Sequence, residues 1–217
     1  MAYRGDPVPA YKEKKISDET YFYFLASLIN SIDKYANTAS VYGAFLKHLK
    51  KSAQKSFKLE LLPYSNGIKG KVYNEDINEL INKIHGDVLY LDPPYNARQY
   101  CTNYHILETI ARYDNPEIKG KTGLRNYDTQ KSKYCSKRTV KSEFEDLIKK
   151  ANFKYIFLSY NNEGLMSVDV IKDIMSKYGT YSCFTQTYRR FKADKDNNRN
   201  TGKKETTEYL HCLIKEG

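Results

Sequence analysis

The chain has 217 residues and a formal net charge of +10, a length that suits one large domain or a domain with a modest insertion. With 40% hydrophobic residues it is too apolar for wholesale disorder, yet its longest apolar runs fall far short of the roughly 20 residues of a membrane span, and residues 1–20 are too polar for a secretory signal. Its four cysteines, at 101, 135, 183 and 212, match neither zinc-ligand nor thioredoxin spacing, which implies reduced thiols, a cytoplasmic setting and no metal.

Residues 1–15, with Gly5, Pro7 and Pro9 ahead of Lys12–Lys15, read as an irregular lead-in. From Ser17 the pattern turns helical: capping residues and early acids precede Tyr21, Phe24, Leu25, Leu28, Ile29 and Ile32 at helical spacing. Val41, Ala44, Phe45 and Leu49 predict a second helix over Ala39–Lys51, and Pro63–Gly70 is a turn-rich break. Strand and helix then alternate. Lys71–Asn74 reads as a short strand, Ile77–Ile84 as a helix, and Val88–Leu91 as a strand apolar at every position, the pattern of a strand covered on both faces. Tyr104–Tyr113 is helical in pattern, Pro116–Arg138 is a polar loop, and Phe144–Lys150 and Val168–Lys177 are helices flanking a strand at Tyr155–Leu158. Two strands, Thr180–Phe191 and Thr207–Ile214, close the chain around a basic loop at 192–206. The expected fold class is α/β with a terminal β-hairpin.

The charge, with 21 Tyr and no Trp, points toward an anionic partner, most often nucleic acid, whose phosphates attract cations and whose unpaired bases stack on aromatic rings. A Lys-rich proteome gives the same balance, so composition does not settle the matter.

Chemistry concentrates in Asp92-Pro93-Pro94-Tyr95, which follows the apolar strand at the edge where open α/β sheets bind ligands. Two prolines fix the backbone and remove two amide donors. Ionised Asp92 only accepts, so Asp92 and the Pro93 carbonyl together can receive both hydrogens of one planar amino group, while the Tyr95 ring stacks on its heterocycle. That arrangement suits methylation of an exocyclic amine by direct transfer from a sulfonium donor, without a protein nucleophile. The plain alternative is a strand-to-turn punctuation.

With these residues in place, the chain resembles the Dam-like, alpha-group DNA adenine-N6 methyltransferases, and its wording around Tyr95–Tyr100 and Gly120–Arg125 is most similar to restriction–modification methylases. Val72–Ile77 resembles the family's strand-then-acid element, Asn96–His105 its loop over the flipped base, Phe157–Asn161 its next strand, and Arg189-Arg190 through Leu210 its basic hairpin. The resemblance implies a Rossmann-like methyltransferase sheet over residues 67–217, preceded by a helical target-recognition region over residues 1–66. It implies S-adenosylmethionine as donor and double-stranded DNA as partner. Asp92, Pro93, Pro94 and Tyr95 would hold the adenine, and Asp76 and Ile77, with Asp92, would lie by the donor, Glu75 being the alternative acid. Asn96, Arg98, Tyr100, Tyr104, Arg125, Arg189, Arg190, Lys203 and Lys204 are the nucleic-acid candidates, although any one of the cations is more readily a solvated surface charge than a contact, and Tyr104 equally a core residue.

One departure stands out. The family's glycine-rich loop, which cradles the donor's methionine part, has no match: Gly5 lacks a preceding apolar strand, as does Ser65–Gly70, and Tyr155–Gly164 already matches another element. The sheet is therefore expected to be incomplete, in a split or truncated enzyme completed by a second polypeptide. The alternatives are a catalytically silent DNA-binding subunit, or a methyltransferase acting on an RNA base or a protein glutamine amide. Cytosine C5 chemistry is disfavoured because no cysteine follows a proline.

Overall fold

The computed structural model describes residues 15–39, 41–64, 67–68, 70–189 and 205–215. They gather into two compact units, one from the residues up to Gly70 with Tyr100–Gln130, the other from Lys71–Gln99 with Lys131 onward. Residues 100–130, which follow the Asp-Pro-Pro-Tyr stretch, thus cluster with the N-terminal residues.

The second unit is mixed α/β. Strand β1 (His85–Leu91) gives way to the excursion 100–130, which carries the two-residue strands β2 (Ile118–Lys119) and β3 (Leu124–Arg125). The main sheet resumes with β4 (Asn152–Asn161), β5 (Gly179–Arg189) and β6 (Glu205–Lys215), in the order β1-β4-β6-β5. β1 runs parallel to β4, with Leu91 opposite Leu158, so both strands end at the same edge. β4 and β6 are antiparallel, as are β6 and β5, the latter pair forming the expected terminal hairpin; its tip, residues 190–204, lies outside the described residues.

The core lies on one side of this sheet. Leu89 and Leu91 of β1, Ile156, Leu158 and Tyr160 of β4 and Leu213 of β6 are buried against Val140, Phe144, Leu147 and Ile148 of one helix and Ile171, Ile174 and Met175 of another. These helices cover Val140–Lys150 and Val168–Met175, and each apolar set recurs at helical spacing. The second begins with Ser167, whose side chain accepts from the Val170 amide. The first ends under Lys215, whose ammonium donates to the carbonyls of Ile148, Lys149 and Ala151 at 3.0, 2.9 and 2.6 Å. Burial lowers the Lys215 pKa, while the negative end of the helix favours its charge.

The opposite face is open, which corrects the expectation that the Val88–Leu91 strand is covered on both sides. Val88 and Tyr90 are 56% and 62% exposed, and Phe184 of β5 is 64% exposed. Leu210 and Ile214 of β6 share that face, by register with Phe184 and with Tyr155. β1 is also an edge strand among the described residues, hydrogen-bonded there to β4 alone. The strand expected at Lys71–Asn74 is absent: those residues are irregular and exposed, with no ladder partner among the described residues to satisfy a strand's amides and carbonyls. The helix expected at Ile77–Ile84 shortens to Ile77–Leu80, capped by the Asp76 side chain.

In the first unit, α1 (Asp18–Tyr35) starts as expected, Ser17 accepting from the Thr20 amide at 3.2 Å. Its buried residues are Ser27 and Ser31, not the aromatic ones. Their hydroxyls accept the amides of Leu62 and Glu60 at 3.1 and 2.9 Å and donate to the carbonyls of Tyr23 and Glu60, docking an extended segment along the helix by polar bonds. The helix expected over Ala39–Lys51 does not form. Its backbone groups are engaged elsewhere: the Tyr42 amide donates to Asn103, the Val41 carbonyl accepts from the Thr38 hydroxyl, and the Lys50 amide donates to Asn37. Only a short 3₁₀ turn at Ser52–Gln54 follows.

Within the excursion, helices Tyr100–Asn103 and His105–Arg112 precede the β2–β3 hairpin. The buried His105 ring spans the Thr102 and Thr122 carbonyls, 2.8 Å from each, and so ties the helices to the hairpin.

Candidate active site

β1 stops at Leu91 because Pro93 and Pro94 supply no amide to continue a ladder. Asp92 is exposed at the strand's carboxyl end, and among the described residues nothing hydrogen-bonds or ion-pairs with its carboxylate. The Pro93 carbonyl likewise accepts nothing among the described residues. Both acceptors of the expected amine-binding pair are therefore available. Tyr95 is half-buried against the core, with its ring edge-on to Tyr160 at 6.5 Å between centroids and 84° between planes. Its carbonyl accepts from the Leu165 amide at 2.8 Å and from the Tyr160 hydroxyl at 3.3 Å.

The loop continues into an Asx turn, the Asn96 side chain accepting from the Arg98 amide at 2.9 Å, and Arg98 is exposed. Gln99 then forms a two-point clasp with Ser132: its amide donates to the Ser132 carbonyl at 3.0 Å, and its oxygen accepts the Ser132 amide at 2.8 Å. The Cys135 thiol adds a bond to the Arg98 carbonyl at 3.4 Å. The excursion therefore leaves and re-enters the second unit through a closed gate.

Asp76 spends one carboxylate oxygen on the Asn78 amide at 2.9 Å, capping its short helix, and Ile77 is half-buried beside it. Glu75 is ion-paired with Lys83. Asn78 anchors this element: its side chain donates to the Glu143 carbonyl and the Asp146 carboxylate, each at 2.9 Å, and accepts from the Tyr134 hydroxyl at 2.8 Å. Lys150 and Asn78 hold the Asp146 carboxyl below its usual range, and burial raises Tyr134.

Tyr100 and Tyr104 belong to the other unit, where they are brought together, exposed, with ring centroids 5.9 Å apart. Tyr104 also lines a cavity of about 450 Å³ with Ile29, Asn30, Asp33 and Lys50. Arg125 is corrected. It is buried and binds Asp114 through both terminal nitrogens at 3.1 and 2.5 Å, which holds the Asp114 carboxyl below the usual range, so its fork is occupied internally and not offered to a phosphate. Arg189 ends β5 opposite Glu205, while Arg190, Lys203 and Lys204 lie outside the described residues.

Residues 9–174 match the family described as D12 class N6 adenine-specific DNA methyltransferase. This chain belongs to that family. It is 57% identical over 201 residues to the type II methyltransferase M.NlaIII of Neisseria lactamica, a match covering 92% of this chain and 60% of that protein. It is 48% identical over 185 residues to M.FokI of Planomicrobium okeanokoites (83% and 29% covered) and 37% identical over 208 residues to the modification methylase LlaI of Lactococcus lactis subsp. lactis (93% and 33%). The chain thus spans under two thirds of these relatives' lengths. No solved structure matches it.

For a D12-class chain the residues fit the methyl acceptor better than the methyl donor. The Asp92 carboxylate and the Pro93 carbonyl have no hydrogen-bond partner among the described residues, whereas no described strand leads into a glycine-rich loop. Among the described residues no His, Cys, Asp and Glu cluster could hold a metal, and no helix is long and apolar enough to cross a membrane. Sequence reading assigned no role to Tyr160 or Gly164. The available signal was a Tyr-Asn-Asn-Glu-Gly run ending the strand next to β1.

Proposed function

We propose that this chain is the target-recognition and catalytic part of an S-adenosylmethionine-dependent DNA adenine-N6 methyltransferase of a restriction–modification system. The observation that carries the reading is the pair of unengaged acceptors, Asp92 and the Pro93 carbonyl, at the carboxyl end of β1. They receive the two hydrogens of the adenine amino group and stabilise positive charge as it grows on the nitrogen. Pro94 rigidifies the turn, and the Tyr95 ring stacks on the base extruded from the duplex. Residues 1–66 read the target, with Asn96, Arg98, Tyr100, Tyr104, Arg189, Arg190, Lys203 and Lys204 as the DNA contacts, and Asp76 and Ile77 flank the donor.

The donor's methionine part is held by a polypeptide segment outside these 217 residues. Two observations support this: β1 has a free edge, and the apolar face of Val88, Tyr90 and Phe184 has no cover among the described residues.

The test is tritium transfer from S-adenosylmethionine to duplex DNA, using this chain alone and mixed with the portion of the Neisseria lactamica methylase that the match leaves out. The mixture should label adenine, and Asp92→Ala should lower turnover by at least about 1,000-fold with DNA binding retained. Labelling that survives Asp92→Ala would overturn the mechanism. DNA binding without transfer in either arm would favour a silent recognition subunit, and full activity of the chain alone would remove the need for a second segment.

A further inference from the structure

The Asp92–Tyr95 loop has a mechanical problem. Its two prolines donate no hydrogen bonds, so the loop cannot brace itself, yet an amine-binding site loses about 100-fold in rate when its groups move by 1 Å. The tether must therefore come from outside. The Tyr95 carbonyl receives two donors, the Leu165 amide at 2.8 Å and the Tyr160 hydroxyl at 3.3 Å, both from the end of β4 and the turn after it. The Tyr160 hydroxyl also accepts from the Met166 amide at 3.4 Å, which directs its own proton toward Tyr95. The buried Tyr160 ring meets the Tyr95 ring edge-on, so both the backbone and the ring of Tyr95 rest on one side chain.

Gly164 makes that placement possible. A Cβ there would sit 2.1 Å from one Tyr160 ring carbon and 2.8 Å from two others, so no larger residue coexists with the ring where it stands. The turn holding Gly164 is itself pinned, the Gly164 amide donating to the Asn161 carbonyl at 3.1 Å and the Asn161 side chain accepting the Glu163 amide at 3.0 Å.

We propose that Tyr160 is a positioning residue for the base-stacking loop, held in place by Gly164, acting through the Tyr95 carbonyl and ring. It touches neither donor nor amine. This rests on the reading of Asp92–Tyr95 as the amine site, but its first test does not.

Hydrogen exchange of the intact 217-residue chain should show the Leu165 amide, which donates to the Tyr95 carbonyl, and the Arg98 amide, which donates to Asn96, exchanging about tenfold faster in Tyr160→Phe, with the Ile156–Leu158 amides of β4 unchanged. Gly164→Ala should have a larger effect on the same amides. Equal protection in wild type and Tyr160→Phe would overturn the proposal whether or not the chain methylates DNA, and so would loss of protection spread evenly over β4. In the complemented transfer assay, Tyr160→Phe should lower kcat about tenfold and leave the KM for DNA within about twofold, a split that general destabilisation does not produce. Wild-type transfer with kcat unchanged in Tyr160→Phe would sink the positioning role alone, whereas absence of transfer in the wild type would count against the proposed function and leave the exchange result to decide the tether.

Discussion

The two faces of the main sheet differ more than their sequences suggest. On one, Leu89, Leu91, Ile156, Leu158 and Leu213 lie under the helices Val140–Lys150 and Val168–Met175; on the other, Val88, Tyr90, Phe184, Leu210 and Ile214 are just as apolar and uncovered. A strand needs only alternation to have one buried face, so apolar residues at every position record a demand for cover on both. The difference teaches that the cover supplied by the described residues lies on one side, while the other leaves an equally apolar surface exposed. The proposed site, Asp92–Tyr95, follows the carboxyl end of the strand that belongs to both regimes, β1.

Truncating the covered face should break the fold. Phe144→Ala, at a fully buried position, should cost about 3–5 kcal/mol in denaturant unfolding; a loss below about 1 kcal/mol would mean that the helices are not the principal cover. Next in size is a pH effect on the same side. His211 is fully buried, its Nδ1 lies 2.7 Å from the Tyr181 hydroxyl, its Nε2 has no partner among the described residues, and burial lowers its pKa to about 4. As pH falls from the ordinary 6.5 toward 4, the unfolded chain takes up a proton that the folded chain refuses, so stability declines with acidification across that window, by up to about 1.4 kcal/mol per unit. His211→Gln should flatten the stability profile between those values; an unchanged slope would reassign it to other groups. Lys215→Met should lower stability by about 1 kcal/mol by leaving three carbonyls at the end of the Val140–Lys150 helix without their ammonium donor, read as a shift in Tm. Tyr90→Ser, on the open face, should change the stability of the chain alone by less than about 0.5 kcal/mol while weakening its association with the complementary segment. A large loss in the chain alone would erase the contrast between the faces.

Much of the second unit was legible because its signals are local. Ser167 caps a helix, as Ser17 does in the first unit, the apolar spacing of Phe144, Leu147 and Ile148 marks a buried face, and Val88–Leu91 and Tyr155–Leu158 are strands. The Asp92–Tyr95 turn could be located at a strand end because proline chemistry is written in the residues themselves. What failed depended on partners distant in sequence. Ala39–Lys51 carries helical spacing, but the Tyr42 amide goes to Asn103, which no window around Gly43 contains, and the Lys50 amide goes to the Asn37 side chain. Val72 has strand propensity and no neighbour to pair with among the described residues. Arg125 read as a phosphate contact because a buried bidentate bond to Asp114 leaves no trace in spacing, and Tyr160 was invisible as a brace because its task is defined by Tyr95, in the neighbouring strand's loop.

The clasp between Gln99 and Ser132 has an evolutionary consequence. Because the two ends of the 100–130 excursion are joined to each other, the sheet registers only a closed stem and not the length or content of what it carries. Doubling such a loop costs only about 0.6 kcal/mol of closure entropy. A change in the length of this stretch therefore leaves the register of β1 on β4 in place, a tolerance that does not extend to Asn103, His105 and Arg125, whose bonds tie the first unit together.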